Sequence, residues 1–371
     1  MLKKKAAVLV RKLYERNGSV PDDGYELEWA AAFSACLERA GYSAEWWQEG
    51  ETWTRELLPG VTVHSVTDGT PSMGTLPGLN QAFWENCGSY TLGIYADPLL
   101  AYPQVTDGSI VLLGDIPTPA GFMGPAADSL TREQQEEFYR RVFMGLACPG
   151  LVVASGLHYI QWAISTWHGL SHKFSYIPDC PAPLPAAPGG AGGDRLRALF
   201  SAPLLPRHGV SDAMRAADVV TARRQDTEFV FTGWAPPSIR PHLQRWLATR
   251  ERVYWRPPAP GDFDGGPLVL CLAGTGPPRA REALAAMGRG GILVASPRGS
   301  LADFIIDGHN GLVVNPAAGE LAPAIERVAA RPSWRRSLSH NARLTAASYS
   351  QQRWEENWAR VLEQARMTSG G

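Results

Sequence analysis

Arg298, Gly299 and Ser300 stand together in the loop Pro297 to Ser300, after an apolar run at Ile292 to Ala295 and before an apolar helical turn at Leu301 to Ile306. A second short run, Leu312 to Val314, follows. Strands buried on both faces read as unbroken apolar runs, and strands separated by helices imply a parallel sheet. In such sheets ligands gather beyond the carboxyl ends of the strands, where glycine lets the backbone approach a phosphate. The chemistry on offer is the grip of an anionic ligand. A tight strand-to-helix turn that binds nothing would use the same residues, and this stretch alone does not separate the two. The thirteen tryptophans, among them Trp46, Trp47, Trp53, Trp84, Trp162 and Trp167, either stack on the apolar faces of sugars or fill cores. The five cysteines, Cys36, Cys87, Cys148, Cys180 and Cys271, lack CxxC spacing. That odd, dispersed set suits a reducing compartment and gives no metal site, and no cofactor is expected.

A chain of 371 residues exceeds one ordinary core, and two domains are expected. With 35 basic and 36 acidic side chains it has no polyanion-seeking excess, which argues against a dedicated nucleic-acid binder. The Lys3-Lys4-Lys5 start reads as the solvated lead-in to a strand. No apolar run approaches the roughly 18 residues that cross a bilayer. The expected location is the cytoplasm, including the inner face of the membrane, with no transmembrane segment.

Positioning such a ligand requires a strand-helix series, and the pattern supplies two. The first runs from a strand at Ala6 to Val10 through a helix striped by Trp29, Phe33 and Leu37 and ended by Gly41. Strands at Ala44 to Gln48, Val61 to Val66, Gly93 to Tyr95 and Ser109 to Leu113 follow, then a helix over Arg132 to Leu146 and a strand at Gly150 to Ser155. A helix at His158 to Trp167 and Phe174 to Ile177 close this half. Residues 181–193, PAPLPAAPGGAGG, cannot hold a helix or central strand and read as a linker. The second series has strands at Arg197 to Phe200, Glu228 to Phe231 and Leu268 to Leu272, and helices through Asp212 to Thr221, Leu243 to Thr249 and Leu321 to Val328. A last helix carries Trp354, Trp358, Val361 and Leu362. The expected architecture is α/β: an acceptor-side domain at 1–180, the linker, a nucleotide-sugar-side domain at 194–350 and a terminal helix at 351–371.

The order IIDGHNGLVVNP, a helix, an Asn341-Ala342-Arg343 turn and a Tyr349-Ser350 start to a Trp-rich helix resembles the carboxyl half of GT-B glycosyltransferases of family 4. In the first half GIYADPLLAYP, SIVLL, LVVAS and HKFSYIPD resemble the acceptor domain of a bacterial cell-envelope branch of that family. The resemblance implies two Rossmann-like domains facing each other across a cleft. It implies transfer of a sugar, with retention, from a nucleotide-diphosphate donor to a saccharide or protein acceptor, and a last helix that returns to the first domain.

The same resemblance sets demands that this chain meets poorly. The family neutralises the leaving diphosphate with an Arg and a Lys from the loop after the first strand of the second domain. Here that loop is Ser201 to Gly209, with Pro203 at the Arg position and His208 at the Lys position. Arg207 is its one fixed positive charge, since an ordinary histidine is mostly neutral at pH 7. The family's carboxylate pair, spaced by seven residues, falls on Pro277 and Ala285. Glu282, three residues earlier than the second position, either points the same way or is a solvated acid at a helix start. The acceptor-side His falls on Gly114; Asp115 beside it is either a base or a turn former. Asp23-Gly24 stands where a glycine pair would meet phosphate. Gly209, Gly299 and Asn310 keep backbone turns.

These losses imply a catalytically impaired homologue, a partner or acceptor-binding subunit of an active glycosyltransferase. The alternative is a working enzyme with a rearranged site. Its catalytic groups would be Asp115 and Glu282. Arg207, His208, Gly209, Arg279, Arg281, Gly299 and Ser300 would hold the donor.

Overall fold

A computed structural model describes residues 4–14, 25–58, 61–67, 72–106, 108–181, 195–237, 239–257, 262–263, 267–272 and 280–368. The chain divides into two compact units, Met1–Pro178 with Trp354–Gly371, and Asp179–Arg353.

The first unit is built on an eight-stranded sheet. Its strands are β1 (Lys4–Leu9), β2 (Tyr42–Glu49), β3 (Trp53–Leu58), β4 (Val61–Val66), β5 (Leu92–Tyr95), β6 (Ile110–Leu113), β7 (Leu151–Ala154) and β8 (Phe174–Tyr176), in spatial order β3-β4-β2-β1-β5-β6-β7-β8. All neighbours run parallel except β3, which is antiparallel to β4. Parallel pairing needs crossovers, and the helices α1 (Tyr25–Arg39), α2 (Pro77–Asn86), α3 (Pro119–Met123), α4 (Arg132–Ala147) and α5 (Leu157–Thr166) lie between strands in the chain. The stripe on α1 is buried as its spacing requires: Phe33 and Leu37 are inaccessible, and Gly41, at φ +88°, takes the left-handed turn into β2. Helix α4 begins with a capping box, Thr131 accepting from the Gln134 amide while the Gln134 side chain accepts from the Thr131 amide.

The second unit has β9 (Leu196–Ser201), β10 (Thr227–Thr232), β11 (Val253–Arg256), β12 (Leu268–Leu272), β13 (Ile292–Ala295) and β14 (Gly311–Val313), ordered β11-β10-β9-β12-β13-β14 and parallel throughout. Its helices are α6 (Val210–Arg223), α7 (Arg240–Leu247), α8 (Ala280–Gly288), α9 (Leu321–Ala330) and α10 (Pro332–Ala347). The central strand β12 is buried along its whole length, with apolar clusters on both faces of the sheet. The last helix, α11 (Gln351–Thr368), places Trp354 and Trp358 against Phe33 of α1, the Trp358 ring 4.6 Å from it.

Several local expectations change. Asn341 to Arg343 is no turn: it lies inside α10, where Ala342 is fully buried. The turn expected as helical over Leu301 to Ile306 is a short 3-10 segment at Gly299–Asp303. Strands β3 and β11 carried no apolar run because both sit at sheet edges, with Arg55, Glu56 and Tyr254 exposed. Of the proline-glycine segment, only Pro181 falls within the described residues. No described helix is long and apolar enough to cross a membrane.

Candidate functional site

Four chain segments of the second unit meet near the carboxyl ends of its strands: the last residue of β9, the first turn of α8, the 3-10 turn after β13, and Asp179. Ser201 ends β9 and is buried. Its hydroxyl donates to Glu282 Oε1, across from the first turn of α8. Glu282 is only 2% exposed. The expectation of a solvated acid at the helix start is therefore wrong: the helix begins against the end of the sheet, so its first turn is enclosed. Ala285 lies on a core-facing side of the same helix, 5% exposed between Leu284 and Ala286. Glu282 is the one acid on α8.

Gly299 has φ +57°, a left-handed conformation that opens the 3-10 turn, and it is buried together with Ser300 and Leu301. The Ser300 hydroxyl lies 3.5 Å from Asp179 Oδ2. Burial pushes the Asp179 carboxyl up to about 6; the Arg281 guanidinium and the Ser300 hydroxyl pull it down, and Asp303 pushes it further up. Arg281 Nε is buried with no hydrogen-bond partner among the described residues. Asp179, Arg281, Ser300 and the Ser201–Glu282 pair thus form a polar group near the carboxyl end of the sheet. Arg279 lies outside the described residues, as do Pro277 and the Asp23-Gly24 pair.

The loop after β9 turns through Pro206–His208 into Gly209, whose φ of +81° makes the left-handed step that starts α6. Pro203 is buried, whereas Arg207 is exposed. Arg207 Nε donates to His208 Nε2 at 3.3 Å. One guanidinium is the formal cation of this loop. At Gly233, φ +136°, the loop after β10 packs so closely that an added Cβ would strike the Ala202 carbonyl. The two loops are locked together by that contact.

In the first unit, Asp115 follows β6 and is exposed, with Oδ1 accepting from the Ile116 amide at 2.8 Å. Crowding by protein raises its carboxyl above the usual range, and the Ile116 amide and His158 pull it back. His158 lies in the first turn of α5, after β7, the strand paired to β6. Its Nδ1 is buried without a partner among the described residues. A Cβ on Gly114 would meet open space. Arg11, just past β1, is ion-paired to Asp97 at 2.8 Å, donates to the Gly74 carbonyl at 2.7 Å and covers the Phe122 ring at 4.5 Å. Sequence reasoning passed over Ser201, Asp179, His158 and Arg11. Their partners are 81, 121, 43 and 86 positions away along the chain, and no local pattern announces them. Trp46 and Trp47 are core residues, while Trp84 is 40% exposed.

No protein-family model matches the sequence, and no curated protein matches it. Solved structures do match the fold. A sucrose-phosphate synthase from Thermosynechococcus elongatus superposes with a TM-score of 0.71 at 16% identity, covering 98% of this chain and 99% of that one. WaaG, a glycosyltransferase involved in lipopolysaccharide biosynthesis, gives 0.71 at 14% identity over 99% and 100%. Anabaena HepE, solved in complex with UDP and glucose, gives 0.69 at 15% identity over 97% and 100%. At such identities the likeness bears on architecture, and the architecture is the GT-B fold, as the sequence resemblance implied.

Proposed function

We propose that the chain is a family 4-like glycosyltransferase homologue impaired in its donor half, serving as a partner or acceptor-binding subunit in cell-envelope or polysaccharide glycosylation. The reading rests on the loop after β9. Where the family places an Arg, Pro203 is buried; where it places a Lys, His208 accepts a hydrogen bond from Arg207. A leaving nucleoside diphosphate needs fixed donors and cations already aimed at it. One exposed guanidinium tied to its neighbour is a poor substitute for two, since each hydrogen bond to a charged group contributes about 1.5–3 kcal/mol. HepE was solved with UDP and glucose, and a UDP-sugar is accordingly the first ligand to try. Calorimetric titration with UDP-glucose and GDP-mannose gives no micromolar binding on this reading, and the protein copurifies with an intact family member. Micromolar binding of either donor overturns it.

One observation favours a second reading, an active retaining glycosyltransferase with a rearranged site. Glu282 is buried at the sheet end and held by Ser201, which suits a carboxylate that fixes ribose or sugar hydroxyls. With Arg281, Gly299 and Ser300 alongside, it would hold a nucleotide sugar through one acid instead of two, and Asp115 would be the acceptor-side base. Donor turnover that depends on Glu282 separates this reading from the first.

A further inference from the structure

From Arg327 to Arg353 the chain carries six arginines and neither aspartate nor glutamate, although its formal net charge is -1. Charge is therefore segregated, and most of this segment is α10. The helix buries Leu338, Ala342 and Ala346 and turns Arg336, His340, Arg343 and Leu344 outward, one stripe at helical spacing. At its start, the guanidinium groups of Arg327 and Arg331 each lie 5.8 Å from the Trp334 ring. Arg343 donates to the Arg289 carbonyl at 3.3 Å. No carboxylate pairs with Arg331, Arg336 or Arg343 among the described residues.

A second element extends the stripe. The loop carrying Ile306 is tied to α10 by Asn341 Nδ2 donating to the His309 carbonyl at 3.0 Å and Asn310 Nδ2 donating to Thr345 Oγ1 at 2.9 Å. Ile306 is 57% exposed and Leu344 58%. Asp307, exposed on the same loop, is the acid this element contributes, and its Oδ1 accepts from the Val313 amide.

We propose that this face of α10 docks the protein on an anionic lipid bilayer. Unneutralised arginines along a convex helix suit a broad negative surface, where each basic group strengthens adsorption about fivefold. The helix spends its own apolar side in the core, so it cannot roll inward as an amphipathic anchor; attachment is electrostatic, with Ile306 and Leu344 entering the headgroup boundary. Two bare aliphatic side chains have a use against acyl chains and none against the phosphates of a nucleic acid.

Cosedimentation of the full chain with vesicles at about 0.1 M salt, where charges are felt over about 10 Å, tests this. The protein pellets with phosphatidylcholine vesicles containing phosphatidylglycerol and stays in solution with phosphatidylcholine alone. Arg336→Glu with Arg343→Glu lowers affinity at least about tenfold, and Ile306→Ser with Leu344→Ser weakens it further. Arg132→Glu with Arg215→Glu, an equal change in net charge on other helices, leaves it unaltered. All four arginines are exposed, and circular dichroism verifies that each variant folds. The proposal is overturned by absent binding to the anionic vesicles, by equal binding to neutral ones, by equal losses in the two charge-reversed pairs, or by tighter binding to duplex DNA than to vesicles at the same salt.

Discussion

Glu282 is buried and Asp179 half-buried, and they respond differently to replacement. Glu282 accepts from the Ser201 hydroxyl inside the second unit. Glu282→Ala strands that hydroxyl and leaves a void, so urea unfolding of the variant shows a loss of about 1–3 kcal/mol. Asp179 is held up to about 6 against an ordinary 3.8, chiefly by burial. Between those values the folded chain binds more protons than the unfolded one, so stability falls as pH rises through the window and stays lower above it. Asp179→Asn removes that slope and raises stability at pH 7, by on the order of 2 kcal/mol. Unfolding curves at pH 4 and pH 7 check the sign: the variant gains at the higher pH and little at the lower. The residue types at 201, 281, 282 and 300 were readable from the sequence. The enclosure of Glu282 was not, because a carboxylate in the first turn of a helix is usually solvated and only the end of β9 alters its surroundings.

At the scale of elements, the strands buried on both faces announced themselves and the edge strands did not. LVLCL at β12 and ILVA at β13 read as strands because helices cover both sides of the sheet. TRELL at β3 read as nothing, since an edge strand needs no apolar alternation. The inner half of α10 was mistaken for a turn because its buried face is built from Ala342, Ala346 and one leucine, too small a stripe to stand out. The loops after β9 and β10 meet backbone to backbone at Gly233 and Ala202. Gly233→Ala forces the loop after β10 away from Ala202, with an expected cost of about 1–3 kcal/mol. Thermal unfolding measures it, and a silent Gly233→Ala would show that these loops are not interlocked.

For the whole molecule, the terminal helix belongs to the first unit although the chain reaches it after the second. Trp358 is 3% exposed against Phe33, and Trp358→Ala removes about 3–5 kcal/mol from that unit; near-ultraviolet circular dichroism against urea follows it. The two-unit α/β plan was legible because burial patterns are local, and the family resemblance supplied the type of fold. On the proposed function, the charges in the loop after β9 decide whether a nucleotide sugar is held. The most direct measurement is nucleotide release from UDP-glucose and GDP-mannose by the purified protein, with and without saccharide acceptors. Release no faster than in buffer is the predicted result; sustained release that disappears in Glu282→Gln and Arg207→Ala would contradict the impaired donor half.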